Sequence, residues 1–298
     1  MEDWMNRCTL CPRRCGADRT VSVGRCGVGE QVRLARAALH FWEEPCVSGE
    51  EGSGTVFFSG CSLGCVFCQN YQISAGHFGR DIPVERLAEI FLELQEQKAN
   101  NINLVTGGHY IPQIVRALDL VRGRLHIPVV YNSSGYETVE ALRMLKGYVD
   151  VYLPDLKYRS PERGARYSHA PDYFAVASKA ILEMLDQVGP VQFDGRGMIQ
   201  RGLIVRHMVM PNGVEDSMDI LTWIAGNLPL DDILVSVMSQ YTPFYRSGEY
   251  PEIDRRLTAQ EYDRVLDWLD CMGIENGFVQ ELSSAKEEYT PDFSLQGV

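Results

Sequence analysis

Gly54-Thr55-Val56-Phe57-Phe58-Ser59-Gly60-Cys61-Ser62-Leu63-Gly64-Cys65-Val66-Phe67-Cys68-Gln69-Asn70 is the stretch that decides the fold. Its first part, Thr55–Ser59, is a β-rich run that is mostly apolar on both faces, as in a strand buried on both sides. Its second part places Cys61, Cys65 and Cys68 in one short loop directly after that strand. Iron–sulfur cubanes are held by cysteine thiolates, normally four. Three ligands would leave one iron with an open position, able to bind a substrate as well as carry an electron. A zinc site completed by His77, nine residues beyond Cys68, is a second reading of the same residues. A trio of unrelated buried thiols is a third.

Moving outward, β-rich runs at Ile102–Thr106, Pro128–Asn132, Val149–Leu153, Leu203–Met210 and Ile233–Met238 alternate with segments of helical period. Those segments are Val84–Lys98, Ile111–Val121, Glu137–Leu145, Tyr173–Gln187, Ser217–Ala225 and Ala259–Met272. In the first, Leu87, Ile90, Phe91 and Leu94 fall at i, i+3, i+4 and i+7. The repetition predicts right-handed βαβ units in a parallel sheet, either open or closed into an incomplete (β/α) barrel. Chemistry then belongs at the C-terminal ends of the strands. Those ends read Gly60-Cys61, Thr106-Gly107-Gly108-His109, Asn132-Ser133-Ser134-Gly135, Asp155-Leu156-Lys157, Pro211-Asn212-Gly213 and Gln240-Tyr241. Asp194-Gly195 predicts a hairpin turn inserted before the fifth strand.

Composition fits this outline. The chain has 298 residues, 45% hydrophobic and 23% charged, enough for one large domain with a small appendage. A net charge of −12 makes nucleic acid and acidic membranes poor partners. The start, Met1 to Asn6, is acidic and lacks an apolar signal region, and no run of about 18 apolar residues exists, so the expected location is cytoplasmic.

Eight of the nine cysteines lie within the first 68 residues. In a reducing compartment, clustered thiols point to metal more than to disulfides. Cys8, Cys11, Cys15 and Cys26 form a complete set of four, suited to a closed zinc or to a second [4Fe–4S] cluster. Arg13, Arg14 and Arg19 flank them and offset thiolate charge. Cys46 and Cys271 stand alone and are expected to be buried and inert. The expected organisation is a cysteine-rich cap over 1–50, an α/β domain, open sheet or partial barrel, over 51–282, and a polar, loosely held tail over 283–298.

Cys-x3-Cys-x-aromatic-Cys closing the first strand resembles the signature of the radical S-adenosylmethionine (radical SAM) superfamily, over roughly residues 53–280. The run Cys65-Val-Phe-Cys68-Gln-Asn70 is similar to the pyruvate formate-lyase activating enzyme branch. The stretches His40-Phe-Trp-Glu-Glu-Pro-Cys46 and Gly54–Cys61 resemble a subgroup described as like that activase, whose members also carry N-terminal cysteines. The resemblance implies a partial (β/α)6 barrel and a [4Fe–4S] cluster on Cys61, Cys65 and Cys68, whose fourth iron is chelated by the amino and carboxylate groups of S-adenosylmethionine. It further implies reductive cleavage of the sulfonium, hydrogen abstraction by the resulting 5′-deoxyadenosyl radical, and an electron donor such as flavodoxin or ferredoxin.

Residue by residue, the resemblance puts Phe67 beside the adenine and Asn70 at the cofactor. The Thr106, Gly107 and Gly108 carbonyls would accept the substrate amino group, although His109 stands where a glutamate is usual. Asn132 and Ser133, then Asp155 and Lys157, match motifs that contact the methionine carboxylate and ribose, in part through a monovalent cation. Asn132 replaces an aspartate there. Arg206 would pair with the same carboxylate, and Gln240 takes the place of a histidine facing the nucleoside. Two substrate classes follow: the glycine Cα of a glycyl-radical protein, or a small molecule, sugar or peptide. A cluster-bearing electron carrier or sensor, and a zinc-stabilised nucleic-acid binder, are the non-enzymatic alternatives.

Overall fold

A computed structural model describes residues 4–282 and 291–298. The strands are β1 (Val32–His40), β2 (Ser53–Phe58), β3 (Arg80–Ile82), β4 (Ile102–Val105), β5 (Val129–Ser133), β6 (Val151–Pro154), β7 (Gln192–Phe193), β8 (Ile199–Met208), β9 (Leu234–Met238) and β10 (Gly277–Val279). The helices are α1 (Pro45–Ser48), α2 (Tyr71–Ser74), α3 (Val84–Glu96), α4 (Ile111–Leu120), α5 (Val139–Arg143), α6 (Pro161–Ser168), α7 (Tyr173–Val188), α8 (Val214–Asn227) and α9 (Ala259–Cys271).

The sheet runs β10-β9-β8-β6-β5-β4-β2-β1-β3, with β7 pairing off β8. Every pairing from β2 across to β10 is parallel, whereas β1 is antiparallel to both β2 and β3. The six predicted strands are therefore β2, β4, β5, β6, β8 and β9, consecutive in the sheet and joined by helices in a partial (β/α)6 barrel. Each inner strand is buried along its length, except that β8 is partly exposed at intervals. Leu87, Ile90, Phe91 and Leu94 of α3 are at most 1% exposed, and each such burial contributes about 1.5–3 kcal/mol. Local signals set the helix starts: Thr138 and Ser160 accept the backbone N–H of Ala141 and Arg163, and Thr258 forms a reciprocal capping box with Glu261.

Three strands escaped the sequence reading. β1 lies inside the expected 1–50 cap, and its Val-Arg-Leu-Ala-Arg-Ala-Ala pattern has a single β-branched residue and no clean alternation. β3 and β10 have only three residues each. The expected hairpin is present as β7–β8, with Asp194 closing the turn through the Gly197 and Met198 backbone.

Residues 283–290 of the expected tail lie outside the described residues. The last eight do not hang free. Leu295 donates to the Ala35 carbonyl at 3.0 Å, Ala37 donates to the Gln296 carbonyl at 2.8 Å, and the Phe293 ring packs 5.5 Å from Phe57. Among the described residues no helix is long and apolar enough to cross a membrane. Cys46 is buried as expected, but Cys271 is exposed, because the last residue of α9 falls on its solvent side.

A candidate active site at the strand ends

The loop after β2 carries the three thiols into a cleft of about 220 Å³, and all three line it. The backbone turns sharply at Gly60, whose φ of +89° suits glycine. Each sulfur accepts a hydrogen bond: Cys61 from the Leu63 N–H (3.4 Å), Cys65 from the Ser168 hydroxyl (2.9 Å) and Cys68 from the Ser74 hydroxyl (3.3 Å). Donors aimed at sulfur suit thiolates that ligate iron and tune its potential. His77 does not complete a set with the trio. Its ring lies over Gly27, where a Cβ would fall 2.0 Å away.

The opposite wall is polar and charged. Asp155, just past β6, takes Lys157 Nζ on one oxygen and Arg206 Nε on the other, the latter at 3.0 Å. Burial works to raise the Asp155 carboxyl, but Lys157 and Arg206 outweigh it and hold the group below the ordinary range. Arg206, on β8, also donates to Asn132 Oδ1 at 2.6 Å and to Glu43 Oε2 at 3.2 Å. Burial opposes its charge, and Asp155, Glu44 and Glu43 together outweigh burial and raise its pKa. Glu43 closes the bottom of the cleft, where Asn103 and Asn132 both donate to its Oε1. Burial raises the Glu43 carboxyl despite these partners.

Of the residues singled out from sequence, Cys61, Cys65, Phe67, Cys68, Asn70, Thr106, Asn132, Ser133, Asp155, Lys157, Arg206 and Gln240 all line this one cleft. Phe67 packs 5.7 Å from the Tyr241 ring. Thr106 sits at φ +59°, an uncommon conformation for a β-branched residue and one that marks functional turns. Gly107 and Gly108 do not line the cleft. A Cβ on Gly107 would meet Ile114 at 2.7 Å, and one on Gly108 would meet Glu137 Oε1 at 3.1 Å and the Tyr131 hydroxyl at 3.2 Å. His109 also lies behind the wall, with Nε2 on the Ser59 carbonyl at 2.8 Å. Asp155 engages both Lys157 and Arg206, so an ion pair does sit at the barrel mouth. Arg206 keeps two of its five N–H donors free of these bonds.

Sequence reasoning missed two buried carboxylates. Glu43 belongs to the quoted His40–Cys46 stretch, and its position in the floor depends on β1, for which the sequence shows no strand pattern. Glu137 accepts from the Ser133 hydroxyl at 3.1 Å, and burial pushes it up to about 7. It lies beside Gly108, and a Cβ on that glycine would meet its Oε1 at 3.1 Å. The loop after β5 is held tightly. A Cβ on Gly135, at φ +74°, would fall 2.4 Å from the Asp155 carbonyl.

The cleft fits a polar nucleotide ligand by a further observation. Asn70 Oδ1 and Thr242 Oγ1 are buried without a hydrogen-bond partner, and both residues line it. Buried polar atoms are normally paired, so each is suited to a ligand's donor. The trio, the unpaired acceptors and the Lys157 and Arg206 cations match the groups needed to hold an iron–sulfur cluster and a zwitterionic sulfonium.

The comparisons agree. The pattern of the radical SAM superfamily matches residues 55–221, more than half of the chain. An uncharacterised protein of Methanocaldococcus jannaschii, MJ0674, is 35% identical over 277 residues, covering 90% of this chain and 75% of that protein. The FeFe-hydrogenase maturase HydG from Carboxydothermus hydrogenoformans superposes with a TM-score of 0.51 at 12% identity, over 79% of this chain and 56% of that one. Streptococcus suis SuiB bound to S-adenosylmethionine superposes at 0.50 and 13% identity, over 76% and 50%. This chain thus spans about half the length of those two structures, and at such identities the likeness speaks for the fold alone. A strand-end cysteine trio in a partial barrel, together with the match over residues 55–221, makes this chain a member of the radical SAM superfamily of enzymes, which use a [4Fe–4S] cluster and S-adenosylmethionine.

Proposed function

We propose that this chain is an activase-like oxidoreductase that cleaves S-adenosylmethionine reductively and abstracts a hydrogen atom, with the glycine Cα of a glycyl-radical protein as the first substrate class. The observation that carries the reading is the convergence of Cys61, Cys65 and Cys68 with Phe67, Asn70, Lys157 and Arg206 on one cleft. When bound, the cluster and the sulfonium supply one-electron reduction and a primary carbon radical. The chain's residues do the rest. The Ser74 and Ser168 hydroxyls hold the sulfurs, and Lys157 and the free N–H groups of Arg206 face an incoming carboxylate. Phe67 and Tyr241 flank the nucleoside, and Asn70 Oδ1 and Thr242 Oγ1 accept its donors.

A second reading has its own observation. The cleft runs down to the Glu43 carboxylate, so a small polar molecule, sugar or short peptide has groups to bind inside the barrel. The four N-terminal cysteines are proposed to hold a second metal, zinc or iron–sulfur. A flavodoxin or ferredoxin in the cytoplasm is the proposed electron donor, and the −12 charge sets nucleic acid and acidic membranes aside.

The test is 5′-deoxyadenosine release by the anaerobically reconstituted, reduced protein. Release supports the enzyme; a cluster that binds no sulfonium and releases nothing leaves an electron carrier or sensor. Mixing with glycyl-radical proteins then separates the substrates. A glycyl doublet in spin resonance supports the activase, whereas deuterium transfer from a labelled metabolite into 5′-deoxyadenosine supports the small-molecule reading.

A further inference from the structure

The trio's loop has an outer side as well as the side that lines the cleft. Gly64, between Cys61 and Cys65, sits at φ +71°, and no atom lies within 4 Å of where its Cβ would be. Ser62 and Gly64 are half-buried, as are Cys61 and Cys68. The crown of the loop thus faces open space one residue from Cys65 and three from Cys61.

Three arginines from distant parts of the chain are tied to this loop. Arg13 donates Nε to the Ser62 carbonyl at 2.8 Å. Arg25 precedes Cys26, whose carbonyl accepts the Cys61 backbone N–H at 3.2 Å. Arg246 donates its own backbone N–H to the Val66 carbonyl at 2.9 Å. All three then converge on His169, an exposed residue that ends α6 in a left-handed conformation, φ +53°. Arg13 Nη1 donates to the His169 carbonyl. The imidazole is held below its ordinary range, first by partial desolvation and then by the charges of Arg25, Arg13 and Arg246. Arg25 and Arg246 are exposed and Arg13 is half-buried. Among the described residues, Arg246 is the one of the three with a carboxylate partner, Glu249 at 2.6 Å.

An aromatic pair edges the same surface. Tyr245, next to Arg246, stacks on Tyr71 with ring centres 5.3 Å apart and planes 9° from parallel. The two residues are 45% and 36% exposed, and Tyr71 comes three residues after Cys68. Tyrosine and arginine together are the residue types enriched where proteins dock. The chain as a whole carries −12, so this surface runs against its global sign. Local charge of that kind steers an acidic partner to one spot. Electron transfer falls steeply with distance, so a reductant is the acidic partner that gains from docking over the trio's loop.

Resting on the reading that a flavodoxin or ferredoxin supplies the electron, we propose that Arg13, Arg25, His169 and Arg246, edged by Tyr71 and Tyr245, form the docking surface for an acidic one-electron donor protein. One electron leaves the donor's reduced flavin or iron–sulfur centre and enters the oxidised cluster on Cys61, Cys65 and Cys68. The donor is oxidised by one electron and the cluster reduced by one.

The experiment mixes the anaerobically reconstituted full chain with a reduced acidic flavodoxin or a reduced acidic ferredoxin. Freeze-quenched samples give the rate at which the spin-resonance signal of the reduced cluster appears. Reduced methyl viologen, a small cation, is the control reductant. The chains are wild type, Arg25→Glu, Arg246→Glu and Lys146→Glu, the last at a side chain that is 62% exposed on another face. Arg246 lies outside the cysteine-rich segment, so its variant reads the surface even where Arg25→Glu unsettles that segment. Wild-type reduction by the protein donors should slow as ionic strength rises. Net charge alone would give the opposite sign, because a −12 chain repels an acidic donor and salt screens that repulsion. Each arginine reversal should slow the protein donors by about tenfold. Iron content and the methyl viologen rate should stay at wild type, and Lys146→Glu should match wild type throughout. Unslowed arginine variants, equal slowing in Lys146→Glu, or a wild-type rate that rises with salt overturns the docking surface. Reduction of the wild type by methyl viologen but by neither protein donor also overturns it and leaves the trio's cluster standing. No signal with any reductant defeats the reading of the trio itself, and the docking surface falls with it. Unslowed reduction of Arg246→Glu together with loss of its glycyl-radical signal gives the surface to a substrate protein and overturns the proposal.

Discussion

The two cysteine sets of this molecule are built in opposite ways. Cys61, Cys65 and Cys68 sit where the first parallel strand ends, so the sheet aims their loop and the neighbouring strand ends supply its partners. Cys8, Cys11, Cys15 and Cys26 sit in a segment without regular structure, shaped by a few turns and by arginine. Arg19 is the main brace there. It is 1% exposed, donates Nη1 to the His109 carbonyl at 2.6 Å and Nη2 to the Gly29 carbonyl at 2.7 Å, and lies 5.5 Å from the Tyr110 ring centre. A site on strand ends inherits its shape from the fold. A site in an irregular segment depends on its braces and on what it binds.

The strongest way to break this contrast is Cys65→Ala. It should drop 5′-deoxyadenosine formation to background while the far-ultraviolet circular dichroism stays that of the wild type. Loss of the folded spectrum would show that the trio's loop is not held by the sheet. Next, Arg19→Leu strands two buried carbonyls and should cost about 3 kcal/mol in denaturant unfolding. Faster amide exchange should be confined to residues 4–31, and exchange spread evenly through the barrel would show that the two regions are not separate.

Glu137 probes the barrel side by pH. Its folded pKa of about 7 lies above its ordinary 4.5, so between those values the folded state keeps a proton that the unfolded chain releases. Stability from this group is therefore highest below pH 4.5 and falls by about 3 kcal/mol as pH rises through 7. His40, lowered to about 4 by burial and by Arg36, acts in the other direction between pH 4 and 6.5. Glu137→Gln should remove the fall, read from urea midpoints at several pH values; an unchanged pH profile would remove Glu137 from the account. The smallest effect belongs to Ser74→Ala. Losing one hydroxyl donor to Cys68 should cost about 1 kcal/mol and shift the cluster's visible spectrum without loss of iron. Loss of the cluster in this variant would show that the trio also depends on single braces.

Much of this is legible in the amino-acid sequence. Cysteine spacing after a β-rich run marked the site, because ligand count and loop length are local properties. The six inner strands announced themselves through apolar runs of the right length. β1 did not: Arg33, Arg36 and its alanines give no strand pattern, and it is a strand because β2 and β3 offer it hydrogen-bonding edges. The surroundings of Gly107 and Gly108 were hidden for a related reason. A Gly-Gly pair says that something approaches closely, and only the packing shows that Ile114 and Glu137 stand against the side where a Cβ would be.

The amino-acid sequence alone determined the alternation of strands and helices, the trio with its open ligand position, and the quartet as a complete set of thiols. Each follows from residue type and short-range spacing. Tertiary structure alone decided that Glu43 closes the cleft's floor, that Glu137 stands beside Gly108, and that Cys26 meets Cys61 across 35 residues of chain. Those contacts arise from sheet order and from the fit of buried polar groups, which no local pattern encodes.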